Sequence, residues 1–190
     1  MTHRLVSVER GGDALAAFKT ARRCFMAGER IEMQDLAARI GVSRATLFRW
    51  VGSRDELLTE VLWSLAEPAL RDAVASATGN GGARVADALG QFAEILTTTE
   101  YFRAYLRREP ERALRLLTTR AGSLQARMVG TIQDLLSAHL DVDALPLDLP
   151  DMAYLVVRII ESFIYADIIT GAEPDPVRAR QAVATLLRDA

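Results

Sequence analysis

The sequence predicts an all-α fold of about nine helices. Apolar residues recur at three- and four-residue spacing along most of the chain. No sustained apolar/polar alternation between Asn-Gly or Asp-Gly turns marks a strand. Gly, Pro and Ser fall at helix-length intervals as stops and caps. A small N-terminal helix-turn-helix part and a longer helical body are expected.

The first helix is expected from Asp13 to Ala27, with Asp13 as its cap and Gly28 after its end, bringing Leu15, Phe18, Arg22 and Phe25 together. A second runs from Met33 to Ile40 and stops at Gly41. Ser43 caps a third, reaching about Trp50. Ser53 caps a fourth, where Asp55 and Glu56 complement the positive N-terminal end and Pro68 is expected to bend the helix. The run Thr78-Gly79-Asn80-Gly81-Gly82 reads as a linker. Beyond it the breaks at Pro110, Gly122, Pro146, Pro150, Gly171 and Pro174 delimit six further helices: Ala83–Leu96, Glu100–Arg108, Glu111–Thr119, Ser123–His139, Asp151–Thr170 and Pro176–Arg188. The expected division is a head of residues 1–60, its fourth helix continuing to about 77, and a body of residues 61–190.

Composition narrows the function classes. With 190 residues there is no room for a multidomain enzyme. The 23 basic and 25 acidic residues give a net charge of -2, so no overall positive field points to nucleic acid. The charge is uneven, however: residues 1–60 sum to +2 and the remainder to -4. A single cysteine, Cys24, excludes a disulfide framework within the chain, and His3 and His139 have no metal-site spacing. No cofactor, metal site or catalytic residue is expected. The most apolar stretch, Asp151 to Thr170, carries Arg158, Glu161 and Asp167 and is too charged for an ordinary membrane span. With no signal-peptide core near the N-terminus, the expected location is the cytoplasm.

The segment from Met33 to Trp50 carries the most information. Leu36, Ile40, Val42 and Leu47 are spaced to pack two helices together, Ala37 keeps their crossing close, and Gly41 permits the turn. Ser43 starts the second helix, whose outward positions hold Arg44, Ala45, Thr46 and Arg49 without an acid. Arginine bonds guanine bidentately, while an alanine or threonine methyl meets the thymine methyl, so this face suits the major groove of double-stranded DNA. An ordinary helical hairpin is the competing reading.

The contiguous run Leu36 to Leu58, with Gly41-Val42-Ser43-Arg44-Ala45-Thr46-Leu47-Phe48-Arg49-Trp50 at its centre, resembles the N-terminal signature of the tetracycline-repressor (TetR) family. The stretch from Arg49 to Trp63 more faintly resembles a subgroup regulating γ-lactone degradation and quorum quenching. The resemblance implies that Arg44, Ala45 and Thr46 reach bases and that Ser43, Arg49 and Arg54 hold phosphates. Phe48 stands where the family usually has a phosphate-holding tyrosine, and Glu32 where a threonine often serves, so both contacts are expected to be lost. Trp50 replaces a smaller residue and is expected either to abut the DNA backbone or to fold onto the core.

One such motif reads few base pairs, so a homodimer on a palindromic operator is expected. Met152, Leu155, Val156, Ile159, Ile160, Phe163, Ile164 and Ile168 make an apolar arc too wide for one contact. Together with the stripe Ala179, Val183, Leu186 and Leu187, it assigns dimerisation to the last two helices. An effector pocket is expected among the body helices, with Phe92, Leu96, Phe102, Tyr105, Met128, Ile132, Tyr154 and Phe163 as candidate walls. No charge is evident within that set, which favours an apolar or amphipathic effector such as an acyl chain or lactone. The expected function is thus a ligand-responsive regulator, most readily a repressor. Its rivals are a helical interaction protein with a degenerate helix-turn-helix and a small enzyme.

Overall fold

The computed structural model describes residues 11–120 and 122–188. They form eleven α-helices, with no strand among them. The head comprises α1 (Gly11–Met26), α2 (Met33–Ile40), α3 (Arg44–Val51) and the start of α4 (Arg54–Ser76). The body comprises the rest of α4, α5 (Gly81–Thr98), α6 (Glu100–Arg108), α7 (Pro110–Thr118), α8 (Leu124–His139), α9 (Leu149–Ile164), α10 (Ala166–Ile169) and α11 (Pro176–Leu186), with a short 3-10 turn at Val142–Ala144.

Local chemistry accounts for the boundaries. Gly41 closes α2 at φ 82, a left-handed conformation that favours glycine, and its N–H donates to the Ala37 and Ala38 carbonyls. At α4, Ser53 Oγ accepts from Glu56 N at 3.2 Å while Ser53 N donates to Glu56 Oε2 at 2.8 Å, a reciprocal cap. Asp148 and Asp175 cap α9 and α11, each with a proline in the first turn.

Four expectations need correction. On α1 the core stripe is Ala14, Ala17, Ala21 and Phe25; Leu15 lies 44% exposed. Small alanines let α1 lie close against α3 and α4. Secondly, the linker is shorter than Thr78–Gly82, because Gly81 already opens α5. A Cβ on Gly82 would stand 2.1 Å from the Leu187 carbonyl oxygen, so this glycine serves a close approach of α11 to α5 rather than a flexible join. Asp87 pins the same corner, accepting from Thr78 N at 2.8 Å, Thr78 Oγ1 at 3.0 Å and Gln91 Nε2 at 3.1 Å, and pairing with Arg180 at 3.1 Å. Thirdly, the predicted Asp151–Thr170 helix is interrupted at Tyr165. Finally, Ala179, Val183 and Leu187 of the α11 stripe are already buried within this chain, where α11 packs on α5 and α9. What remains uncovered on these last helices is Tyr154, Ile169 and Val177, flanked by half-buried Leu155 and Ile159.

Candidate functional site

The helix-turn-helix assembles as its spacing requires. Leu36, Ala37 and Leu47 are buried between α1, α2 and α3, and Ile40 and Val42 pack half-buried against the same core. Ser43 caps α3, its Oγ accepting from Thr46 N at 3.1 Å and lying 2.9 Å from Thr46 Oγ1. Ser43, Arg44, Ala45, Phe48 and Arg49 are exposed, and Thr46 is half-exposed. Arg49 Nη2 donates to Thr46 Oγ1 at 3.4 Å. No salt bridge holds Arg44 or Arg49 among the described residues, so a convex helix end presents two guanidiniums and a capped N-terminus to solvent. Phe48 is 57% exposed beside them and has no hydroxyl to offer a phosphate. Trp50 packs half-buried against the core beside this face.

Arg54 is a correction. Its side chain is 11% exposed, and Nη1 and Nη2 grip Glu109 at 2.7 and 2.6 Å while Nε donates to the Ile31 carbonyl. With three of its five N–H donors engaged inside the protein and its side chain 11% exposed, this guanidinium is turned away from the solvent face a phosphate would meet. Glu109, between α6 and α7, also pairs with Arg112 at 3.2 Å and Arg30 at 3.6 Å. Asp55 takes Arg112 and, at 2.5 Å, Arg115. The Arg54 hydrogen bonds hold the Glu109 carboxyl below its usual range. Burial would raise Asp55, but Arg115 and Arg112 outweigh it and lower that carboxyl as well. Further hydrogen bonds, from Arg108 Nη2 to the Gly28 carbonyl at 2.6 Å and from Arg127 Nη2 to Glu60 at 2.5 Å, complete a polar seam between the head and α6–α8. Glu32, expected to cost a phosphate contact, pairs with Arg30 at 2.7 Å.

Within the body lies a predominantly apolar cavity that opens to solvent. Of the residues expected to wall an effector pocket, Phe92, Leu96, Phe102, Met128 and Ile132 line it. Three expected wall residues do not. Tyr105 belongs to a smaller cavity beside Arg54 and Glu109, Tyr154 is 52% exposed, and Phe163 packs half-buried against the core without lining the cavity. Sequence reasoning missed the contribution of α4, which supplies Leu62, Leu65, Ala66 and Ala69, and that of α9, which supplies Val156, Val157, Ile160 and Glu161. Such residues at helical spacing look the same whether they meet another side chain or an empty space. The expectation of an uncharged pocket is also overturned. Glu161 is buried at the wall, its Oε2 accepting from Arg158 Nη1 at 2.6 Å. Burial pushes this carboxyl up to about 7, with Arg158 opposing the shift.

A solvent-facing recognition helix on a short helical head, joined through one long helix to a hollow helical body, defines a helix-turn-helix transcriptional regulator with a sensor domain. The "Tetracyclin repressor-like, C-terminal domain" family matches residues 80–188, and the chain belongs to the TetR family. Among solved structures it is similar to the R. erythropolis transcriptional repressor QsdR from the TetR family, at 30% identity over 93% of this chain and 94% of that one, with a TM-score of 0.82. The TetR family repressor AlkX of Dietzia, implicated in biodegradation of n-alkanes, shares the fold at 23% identity, covering 92% and 93% of the two chains with a TM-score of 0.58. A transcriptional regulator of Streptomyces coelicolor shares it at 17% identity, covering 94% and 98%, with a TM-score of 0.57. Comparison with curated proteins finds no match. Members of this family are DNA-binding regulators rather than enzymes. No described helix is long and apolar enough to cross a membrane.

Proposed function

We propose that this chain is an effector-responsive repressor that binds a palindromic operator as a homodimer and is released by an apolar or amphipathic small molecule, acyl- or lactone-like in character. The observation that carries the DNA reading is the acid-free face of α3: Arg44, Ala45 and Thr46 reach base edges while Ser43, Arg49 and the rim of Phe48 meet the backbone. Arg54 has no part in it. Dimerisation falls to the last helices, where Tyr154 of α9, Ile169 of α10 and Val177 of α11 are exposed in the single chain.

The two functions meet in α4, which divides the chain near residue 60. Its first turn is tied to α6 and α7 by Arg54–Glu109 and Asp55–Arg112, and two turns later Leu62, Leu65, Ala66 and Ala69 form a cavity wall. An effector that fits one placement of α4 better than another shifts the spacing of the two recognition helices by its differential affinity. An apolar wall with no lysine or arginine facing inward suits an alkyl chain.

Selection of bound fragments from a random DNA library by the intact protein, repeated with medium-chain lactones and acyl compounds, tests this reading. An enriched palindrome that is lost on adding such a compound supports it. Absence of any enriched sequence favours an interaction protein that no longer binds DNA.

A further inference from the structure

We propose that Glu161 selects the head group of the effector, admitting neutral amphiphiles that carry a hydroxyl or amide N–H and rejecting free carboxylates. The inference rests on the cavity being the effector site.

Its basis is the polarity of the cavity wall. Among the described lining residues Glu161 is the only charged one, and the polar ones besides it are Thr99, Tyr101 and Tyr165. Tyr165 lies one helical turn on from Glu161 and is itself buried, so these two place a polar end in an otherwise hydrocarbon chamber. The nearest cations are committed elsewhere. Arg158 points its guanidinium to Glu161 Oε2 and to the Thr118 carbonyl at 3.3 Å, and is not part of the wall. Arg103 is held by the Ile164 carbonyl and Asp167.

Among the described residues the Glu161 carboxyl takes one hydrogen bond, at Oε2, which leaves this lining side chain with further acceptor capacity. A buried acceptor gains from a ligand donor, and an O–H or N–H supplies one. A ligand carboxylate would instead place a second anion beside the first where no inward-facing cation compensates either. The alkyl tail then lies along Leu62, Ala66 and Ile132.

The test uses the intact protein at a pH of about 8, titrated calorimetrically with 1-octanol, methyl octanoate and octanoate. The three share an eight-carbon chain and differ in the head group: a hydroxyl donor, a neutral ester without a donor, and a carboxylate. Octanol should bind at least about tenfold more tightly than octanoate, the size of a one-unit like-charge effect, with methyl octanoate between them. Glu161→Gln keeps the shape and an acceptor for Arg158, and should narrow the octanol-to-octanoate gap to within about threefold. Glu161→Leu provides the same comparison should the glutamine variant fold poorly, and should also erase the advantage of octanol over the ester. Equal wild-type affinities for octanol and octanoate, or a gap that survives both substitutions, overturn the selection by Glu161 and leave the effector cavity standing. Failure of all three to bind, or binding that Ala66→Trp does not weaken, overturns the cavity reading itself.

Discussion

Arg49 and Arg54 are five positions apart in the sequence and have opposite fates. On α3, Arg44 and Arg49 stand in solvent with no acidic partner among the described residues; at the start of α4, Arg54 is enclosed by Glu109 and the Ile31 carbonyl. The difference lies in what α6 and α7 bring. Glu109 and the Arg112 and Arg115 that grip Asp55 come from more than fifty residues away, and they convert the N-terminus of α4 from a phosphate site into a joint. A residue type within a family signature does not fix the role of that residue. Its partners from the rest of the chain do.

Three outcomes sharpen this contrast, from the largest to the smallest. Glu109→Ala removes the anion that three arginines share and leaves Arg54 buried without compensation, so the free energy of unfolding should fall by about 3 kcal/mol, as a denaturant titration would show. If Arg54 were free to reach DNA, that substitution would barely change stability.

Acidity separates the seam from the cavity. Glu109 and Asp55 have lowered folded values, so the stability they contribute is present above their ordinary 4.5 and 3.8 and is lost as the pH falls through the folded values. Glu161 has the opposite sign. Raised from 4.5 to about 7, it contributes stability that is full below the ordinary value and is lost as the pH climbs through about 7. Glu161→Gln should therefore flatten the decline in unfolding free energy between those two values. The recovered amount is at most on the order of 3 kcal/mol, and the low-pH decline stays unchanged.

The smallest expected effect concerns Phe48. Giving its exposed ring a hydroxyl, Phe48→Tyr, adds one phosphate donor and should raise operator affinity by a few-fold, worth about 1 kcal/mol. A binding isotherm that does not move would place Phe48 off the DNA surface.

Much of the fold was legible because its signals are local. Gly41, Ser43, Ser53, Pro110, Pro150 and Pro176 stop and start helices by chemistry that acts over a few residues, and Glu100–Arg108 and Met33–Ile40 fall where the spacing puts them. The exposed face of α3 was legible for the same reason, since its side chains come from one helix and its cap. Arg54, Tyr105 and Tyr154 were misplaced because their surroundings are tertiary. A tyrosine at helical spacing reads alike whether it faces a cavity, a joint or solvent. Glu161 left a trace in the sequence: a lone acid amid the apolar run of α9, noticed only as an objection to a membrane span. Gly82 left none, because its neighbour Leu187 is over one hundred residues away.

The central claim, that α3 reads DNA while the arginine at the start of α4 holds the molecule together, is tested most directly by measuring operator affinity and its salt dependence for Arg44→Ala and Arg54→Ala side by side at matched folded fraction. The account predicts that Arg44→Ala loses about 1–3 kcal/mol of binding and relaxes the preference for operator over unrelated DNA. Arg54→Ala should keep both the affinity and the salt slope of the native protein while melting at a lower temperature. Undiminished operator binding by Arg44→Ala, or a salt slope that falls by about one on replacing Arg54, would contradict it.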